Sequence, residues 1–200
     1  DGTRDVVARL TSNVHRVVTS ASVAAVHAPA SIGGTVQVAW VGSDGRSTSE
    51  EYDEVVLAMQ ANASLKVLHT CVAEQNAALS TFRYESKRVV LHTDESWMPP
   101  HRRDWSPLNI VVSPDADAAS VTVWMNQIDS SLRKQLQRPV YQTWNPLIEP
   151  AKGTVIADYS FERPVVTPRS EQGMAQLCRN QGKGHVWFVG AYSRYSMPLL

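Results

Sequence analysis

The sequence predicts an α/β chain in which a mixed helix-and-strand part surrounds an antiparallel sheet, and three features carry that expectation. Residues 53–59 (DEVVLAM) form a near-continuous apolar run, the pattern of a strand buried on both faces of a parallel sheet. Apolar residues recur at helical spacing at Val6, Val7, Leu10 and Val14, and again at Leu65, Leu68, Val72 and Leu79. Residues 88–93, 120–125, 140–144 and 154–161 are β-rich segments divided by Pro and Asp clusters, which reads as an antiparallel sheet.

The elements follow in order. Asp1 and Thr3 are candidate N-caps for a helix over residues 3–14. Residues 16–26 (RVVTSASVAAV) lack helical spacing and read as a short strand ending before the breakers Pro29, Gly33 and Gly34. Val36, Val38 and Trp40 alternate with Gln37 and Ala39, and Ser43-Asp44-Gly45-Arg46 supplies a turn into a polar strand ending at Tyr52, so a hairpin is expected. Residues 61–80 predict one broken helix or two short ones. Trp124 and Trp144 are read as inward-facing sheet residues. A helix begun near Pro168 carries Met174, Leu177 and Cys178, and Gly182-Lys183-Gly184 ends it before an apolar strand over residues 185–190.

Composition removes several function classes. The chain has 200 residues, 43% of them hydrophobic and 19% charged, which is enough to bury a core and excludes disorder. Nineteen Lys+Arg balance nineteen Asp+Glu, so no long-range field draws the chain to nucleic acid or an anionic membrane. The longest apolar runs, residues 55–59 and 186–189, fall far short of the roughly 20 residues of a spanning helix. Cys71 and Cys178 form no C-x-x-C pair, which argues against a disulfide scaffold or structural zinc and suggests a reducing, intracellular compartment. The chain opens at Asp1 with no leader and stops at Leu200 with no helix terminator, so the expectation is a sequence that begins and ends inside a larger fold.

No G-x-G-x-x-G, P-loop, H-E-x-x-H or G-x-S-x-G is present, and Gly182-Lys183-Gly184 precedes a strand rather than following one. His92 and Asp94 share a strand face. They read either as a general base oriented by a carboxylate or as a satisfied polar contact near a strand end. A metal site on His92, Asp94 and His101 would need the Pro99-Pro100 turn to fold back. His101-Arg102-Arg103 beside Trp97 and Trp105 has the composition of a single-strand-binding surface, but without a matching basic stripe it reads as a solvated loop.

An ordered set of short motifs resembles one family, the flavin-containing amine-oxidase-like proteins, particularly the branch associated with cyclopropane-fatty-acid synthases. Phe82-Arg83-Tyr84, Val90-Leu91-His92-Thr93-Asp94 and Met98-Pro99 resemble that branch's F-x-Y…LHTD…MP signature. Trp105 with Asn109, Val123-Trp124-Met125-Asn126 and Thr143-Trp144-Asn145-Pro146 follow in the family's order. Arg163-Pro164-Val165 stands where the family has H-P-V, and residues 186–192 (VWFVGAY) are similar to its W-F-C-G-A-Y.

The resemblance implies a partial FAD/NAD(P)-binding Rossmann-like domain with an inserted antiparallel-sheet substrate domain. Residues 1–75 and 166–200 would belong to the first and residues 76–165 to the second. By the same resemblance Val23 would meet adenine through its backbone, Ala58 would close a strand near the pyrophosphate, and Gly190 and Ala191 would let backbone approach the ribityl phosphate. A plain strand-to-helix turn accounts equally well for the Gly190-Ala191 step. The implied activity is hydride transfer from a C–H or C–N bond to FAD, with a small molecule or, by the synthase association, a lipid as substrate. The family's Gly-rich pyrophosphate loop is absent, and Arg194 and Ser196 replace glycines. The remainder of the same protein is therefore an implied partner, and FAD retention by these 200 residues alone is expected to be weak or absent. No catalytic residue or metal ligand transfers. The alternative is a degenerate, non-catalytic homologue that serves as a scaffold or subunit.

Overall fold

The computed structural model describes residues 3–29, 33–70, 72–115, 117–136 and 138–192. Asp1, Cys71, Arg194 and Ser196, and with them the tail after Tyr192, lie outside the described residues. The elements run α1 (Thr3–Thr11), β1 (Ser22–His27), β2 (Val36–Val41), β3 (Ser47–Tyr52), β4 (Val55–Leu57), α2 (Ala61–Val67), β5 (Leu68–Thr70) and α3 (Ala73–Leu79). Then come β6 (Arg83–His92), β7 (Leu108–Val112), β8 (Ala119–Trp124), α4 (Met125–Ile128), α5 (Ser130–Gln135), β9 (Tyr141–Trp144) and β10 (Val155–Val165). The chain ends its described part with α6 (Pro168–Arg179) and β11 (Val186–Phe188). The architecture is mixed α/β and divides into two compact units, Asp1–Arg83 with Val165–Leu200, and Tyr84–Pro164.

In the first unit β2 and β3 form the expected hairpin, with Val36 opposite Tyr52 and Val41 opposite Ser47. Gly45 sits at φ +76°, and the Asp44 carboxylate accepts the Arg46 N–H at 3.0 Å, so the turn uses the residues that tolerate and stabilise it. β1 lies antiparallel to β2 and parallel to β5, giving the order β3-β2-β1-β5. β4 and β11 make a separate parallel pair. Thr167 and Ser170 form a reciprocal capping box at the start of α6, with Pro168 in the first turn, where a missing N–H costs nothing. Gly182 and Gly184, at φ +74° and +63°, take the chain from α6 into β11.

The second unit is a five-stranded sheet in the order β10-β6-β9-β8-β7. Pairing is antiparallel from β6 through β9 and β8 to β7, as the alternating segments predict. A strap over residues 94–106, containing two 3₁₀ turns, follows β6, and its Trp97 and Met98 are buried.

Several expectations are corrected. The apolar run at 53–59 yields only the three-residue β4, and Val56 is 58% exposed, because β11 flanks it on one side and no described helix covers that face. The predicted strand at 16–26 starts only at Ser22, since Arg16 is drawn into an ion pair with Glu50 and Ser20 takes φ +56°. The two short helices expected over 61–80 are present as α2 and α3, and the break falls where Leu68–Thr70 pairs with β1. The sequence reading does not include β7: in Leu108–Val112 the consecutive Ile110, Val111 and Val112 are all exposed and give no alternation signal. Trp144 is not inward on the polar layer described below. It lies on the opposite face, where Arg163 stacks over its ring at 4.9 Å.

Gly173 faces α3 so closely that a Cβ there would overlap Thr81 Oγ1 and lie 2.8 Å from Thr81 Cβ and 3.0 Å from the Ala78 carbonyl. The α3–α6 contact therefore depends on a bare backbone at this position. Gly173→Val is expected to cost about 1–3 kcal/mol, the range for overpacking a core. A clear drop in thermal midpoint by circular dichroism checks it, and an unchanged midpoint would show that the helices separate freely.

Candidate functional site

Parallel pairing positions the first candidate region. Val55, Val56 and Leu57 oppose Val186, Trp187 and Phe188, and the ladder continues with the Val189 N–H donating to the Leu57 carbonyl at 3.1 Å. The next residues on the two strands, Ala58-Met59 and Gly190-Ala191, are therefore brought side by side at the carboxyl end of the pair. Ala58 and Ala191 are exposed. Gly190 has an additional role inside the chain: a Cβ there would lie 2.7 Å from the Tyr192 ring and 3.3 Å from the Met59 carbonyl. Tyr192 is buried against Phe82, with ring centroids 5.0 Å apart, so the terminal Phe82 and Tyr192 of the motif series form one packed pair.

Val23 lies elsewhere in the same unit. It opposes Trp40 across a register shift in β1, and it lines a groove of about 690 Å³ with Val38, Trp40, Tyr52, Glu54 and Val55. β5 pairs only Val26 and His27 of β1, so the Ser22–Ala25 stretch has no described strand on that side. The groove reaches Val55 at the amino end of β4, and three steps of extended chain, roughly 10 Å, separate Val55 from Ala58. Val23 and the Ala58–Gly190 cluster are thus two places on one unit rather than one contact.

Charge in the groove is balanced. Arg16 forks onto both Glu50 oxygens, and Nη2 also reaches Tyr52 Oη at 3.1 Å, while Tyr52 donates to Glu50 at 2.7 Å. The Arg16 bond, then the Tyr52 bond, holds the Glu50 carboxyl below its ordinary pKa. At the groove's edge Glu54 accepts from the Trp187 indole at 2.7 Å and pairs with His185 Nδ1 at 2.9 Å, and its pKa is lowered by His185 first and Trp187 second. Sequence spacing signalled none of these groups, because the partners come from segments far apart in the chain.

The fold has a solved counterpart. A crystal structure of a CLA-producing fatty acid isomerase from P. acnes is similar to this chain with a TM-score of 0.60, over 95% of this chain and 47% of that one, at 12% sequence identity. The chain therefore spans about half the length of that enzyme, and at this identity the likeness is one of fold. No family model matches the chain, and no curated protein matches it in sequence. The motif resemblance to amine-oxidase-like flavoproteins accordingly stands without a family model or curated relative beside it.

In the second unit most motif residues hold the unit itself together. The Asp94 N–H donates to His92 Nδ1 at 3.2 Å, which leaves the ring proton on Nε2 to donate to Thr143 Oγ1 at 2.7 Å. Thr143 meets Thr122 Oγ1 at 2.9 Å, completing a buried polar chain across β6, β9 and β8. The Asp94 carboxylate turns away from His92 and accepts the N–H groups of Ser96 and Ala151 at 3.0 and 2.8 Å. The base-plus-orienting-carboxylate arrangement is thus replaced by a structural one. Asn126 bonds the Val140 N–H at 2.7 Å, and Asn109 bonds the Ser106 carbonyl at 2.7 Å. Among the described residues no group of three His, Cys, Asp or Glu could hold a metal, so His92, Asp94 and His101 form no site. Trp97 is buried and Trp105 donates to the Pro99 carbonyl at 2.8 Å, with Arg102 stacked 4.9 Å over its ring. No described helix is long and apolar enough to cross a membrane.

Burial pushes the His92 pKa below its ordinary value. The unfolded chain therefore binds a proton at His92 that the folded chain resists, and His92's contribution to stability is present above about pH 6.5 and lost as the pH falls below it. A denaturation series from neutral to mildly acidic pH is expected to show this loss, and His92→Gln to flatten it. An equally steep series in the variant would place the proton elsewhere.

Proposed function

We propose that this chain forms part of an FAD-dependent oxidoreductase of the amine-oxidase-like type, acting on a lipid or other small-molecule substrate. One observation carries the reading. Two parallel strands from distant parts of the chain end together in the small residues Ala58, Gly190 and Ala191, at the carboxyl ends where α/β folds bind dinucleotides. The motif resemblance and the fold likeness to a fatty acid isomerase support it.

The residues fit such a group in three respects. Ala58 and Ala191 are exposed and short, so a ligand can lie against their backbone. The Ser22–Ala25 stretch of β1, with Val23, offers backbone groups on the side that β5 does not reach, as adenine recognition requires. The roughly 10 Å of strand between the groove's Val55 and Ala58 suits an extended dinucleotide rather than a compact ligand. Bound flavin would supply the hydride acceptor. This chain's own part is to seat the adenine end beside Val23, hold the phosphate portion at Ala58 and Ala191, and exclude water with the apolar groove walls. His92 is bonded through both ring nitrogens, so it holds the sheet rather than moving a proton in the reaction.

A second reading, a scaffold or subunit without cofactor, draws on Gly190. The Tyr192 ring already fills the space beside it, so its lack of a side chain has an explanation within the chain.

The test is an absorbance spectrum of the protein purified with its whole natural coding sequence. Flavin bands at near-stoichiometric content are expected, and a colourless protein that releases no flavin on denaturation sinks the enzyme reading. Ala58→Arg and Ala191→Arg are expected to lower flavin content at least about tenfold, the equivalent of ~1.4 kcal/mol, with circular dichroism unchanged.

A further inference from the structure

Two buried hydrogen-bonding groups in the second unit have no partner: the Tyr141 hydroxyl and the Trp124 indole N–H. Tyr141 is fully buried. The two residues are directly opposed in the β9–β8 register, so their side chains leave the same face of the sheet from neighbouring positions. Both rings pack on one further ring, Trp105 of the strap, at 5.2 Å from Trp124 and 6.2 Å from Tyr141. Beside them, His92, Thr143 and Thr122 are linked by two side-chain hydrogen bonds. His92 lies opposite Tyr141 in the same cross-strand row. A row that pairs its histidine and orphans its tyrosine and tryptophan has left donors for something that arrives separately, since buried unpaired donors are uncommon and costly.

We propose that Tyr141 and Trp124 form a two-donor receptor for the carbonyl oxygen of an uncharged ligand, an acyl ester. Both groups donate, so the ligand atom must accept. Burial first, and the charge of Glu95 second, push the Tyr141 pKa up to about 12 while Arg102 opposes Glu95, so the hydroxyl keeps its proton as a donor. Glu95 and Arg102 act on Tyr141 in opposite senses and burial disfavours the charged form of His92, so the surroundings do not favour a carboxylate here. The strap supplies the class of molecule. Its residues Trp97, Met98, Pro99 and Pro100 also form a wall of a cleft of about 760 Å³ whose remaining lining, including Ile110 and Ile148, is largely apolar. A carbonyl carried on an acyl chain suits both features. The inference rests on the lipid-substrate part of the reading above and is independent of the flavin.

The test measures binding of a medium-chain acyl methyl ester, labelled with carbon-13 at the carbonyl, to the whole chain by equilibrium dialysis and infrared spectroscopy. The ester is expected to bind at least about tenfold more tightly than the matching carboxylate or alkane, with its carbonyl band moved to lower frequency by the two hydrogen bonds. Tyr141→Phe is expected to weaken binding about tenfold and to return the band part of the way, with Trp124→Phe doing the same. Equal binding of ester and alkane, wild-type affinity in Tyr141→Phe, or a site filled by water alone and seen as no ester binding overturns the proposal. Flavin retained without ester binding removes only this site, and ester bound by a flavin-free protein removes only the hydride-transfer reading.

Discussion

The parallel pairing of β4 with β11 is the constraint on which the first unit depends. Val55 and Val186 are joined across about two thirds of the chain, so the unit cannot close until both segments are present. That single ladder makes Tyr84–Pro164 an insertion between two halves of one unit. It also puts Ala58 beside Gly190, two residues whose neighbourhood no local pattern announces. Around the ladder, Glu54 ties the start of β4 to His185 and Trp187 of the returning segment, and Gln181 brackets Phe188 through both its amide groups. Each bond lies where backbone pairing alone is only three residues long, so side chains lend a short strand the definition it lacks.

The second unit solves a different problem. Its sheet buries polar residues, and a buried polar group is costly unless it is hydrogen-bonded. His92, Thr143 and Thr122 meet that condition with each other, and Asn109 and Asn126 meet it by clamping backbone at the ends of the strap and of α4. Arg88 does the same on the exposed side, bridging Glu149 and Asp158 and so fastening β6 to the edge strand β10. The motif residues that carried a family resemblance are, in this unit, largely those that build the sheet and its strap. A motif can therefore persist for architectural reasons, and its presence says more about fold than about chemistry.

Legibility in the sequence followed the range of the interaction. The β2–β3 hairpin was readable because Asp44-Gly45 and the alternation on either side are local signals. The α6 start was readable because Pro168 sits at a position with a known preference, and its end because Gly182 permits a left-handed turn. β7 was not readable, since its consecutive exposed Ile110, Val111 and Val112 show no alternation and the strand is defined by its pairing with β8. Of the candidate residues, Ala58, Gly190 and Ala191 were named from motif similarity, yet their adjacency came only from strand pairing. The Arg16–Glu50–Tyr52 group went unseen because Arg16 is separated from its partners by two strands and a turn.

By itself the sequence determined the α/β class, the places where helices begin and turns occur, and the absence among the described residues of a helix able to span a membrane, because capping, glycine conformation and apolar run length act over a few residues. Only the tertiary structure decided which faces are buried, that His92 bonds Thr143 instead of Asp94, and that Tyr141 and Trp124 are left without partners side by side. Burial and hydrogen-bond satisfaction are properties of segments that meet in space, and one residue of register or one added neighbour reverses them.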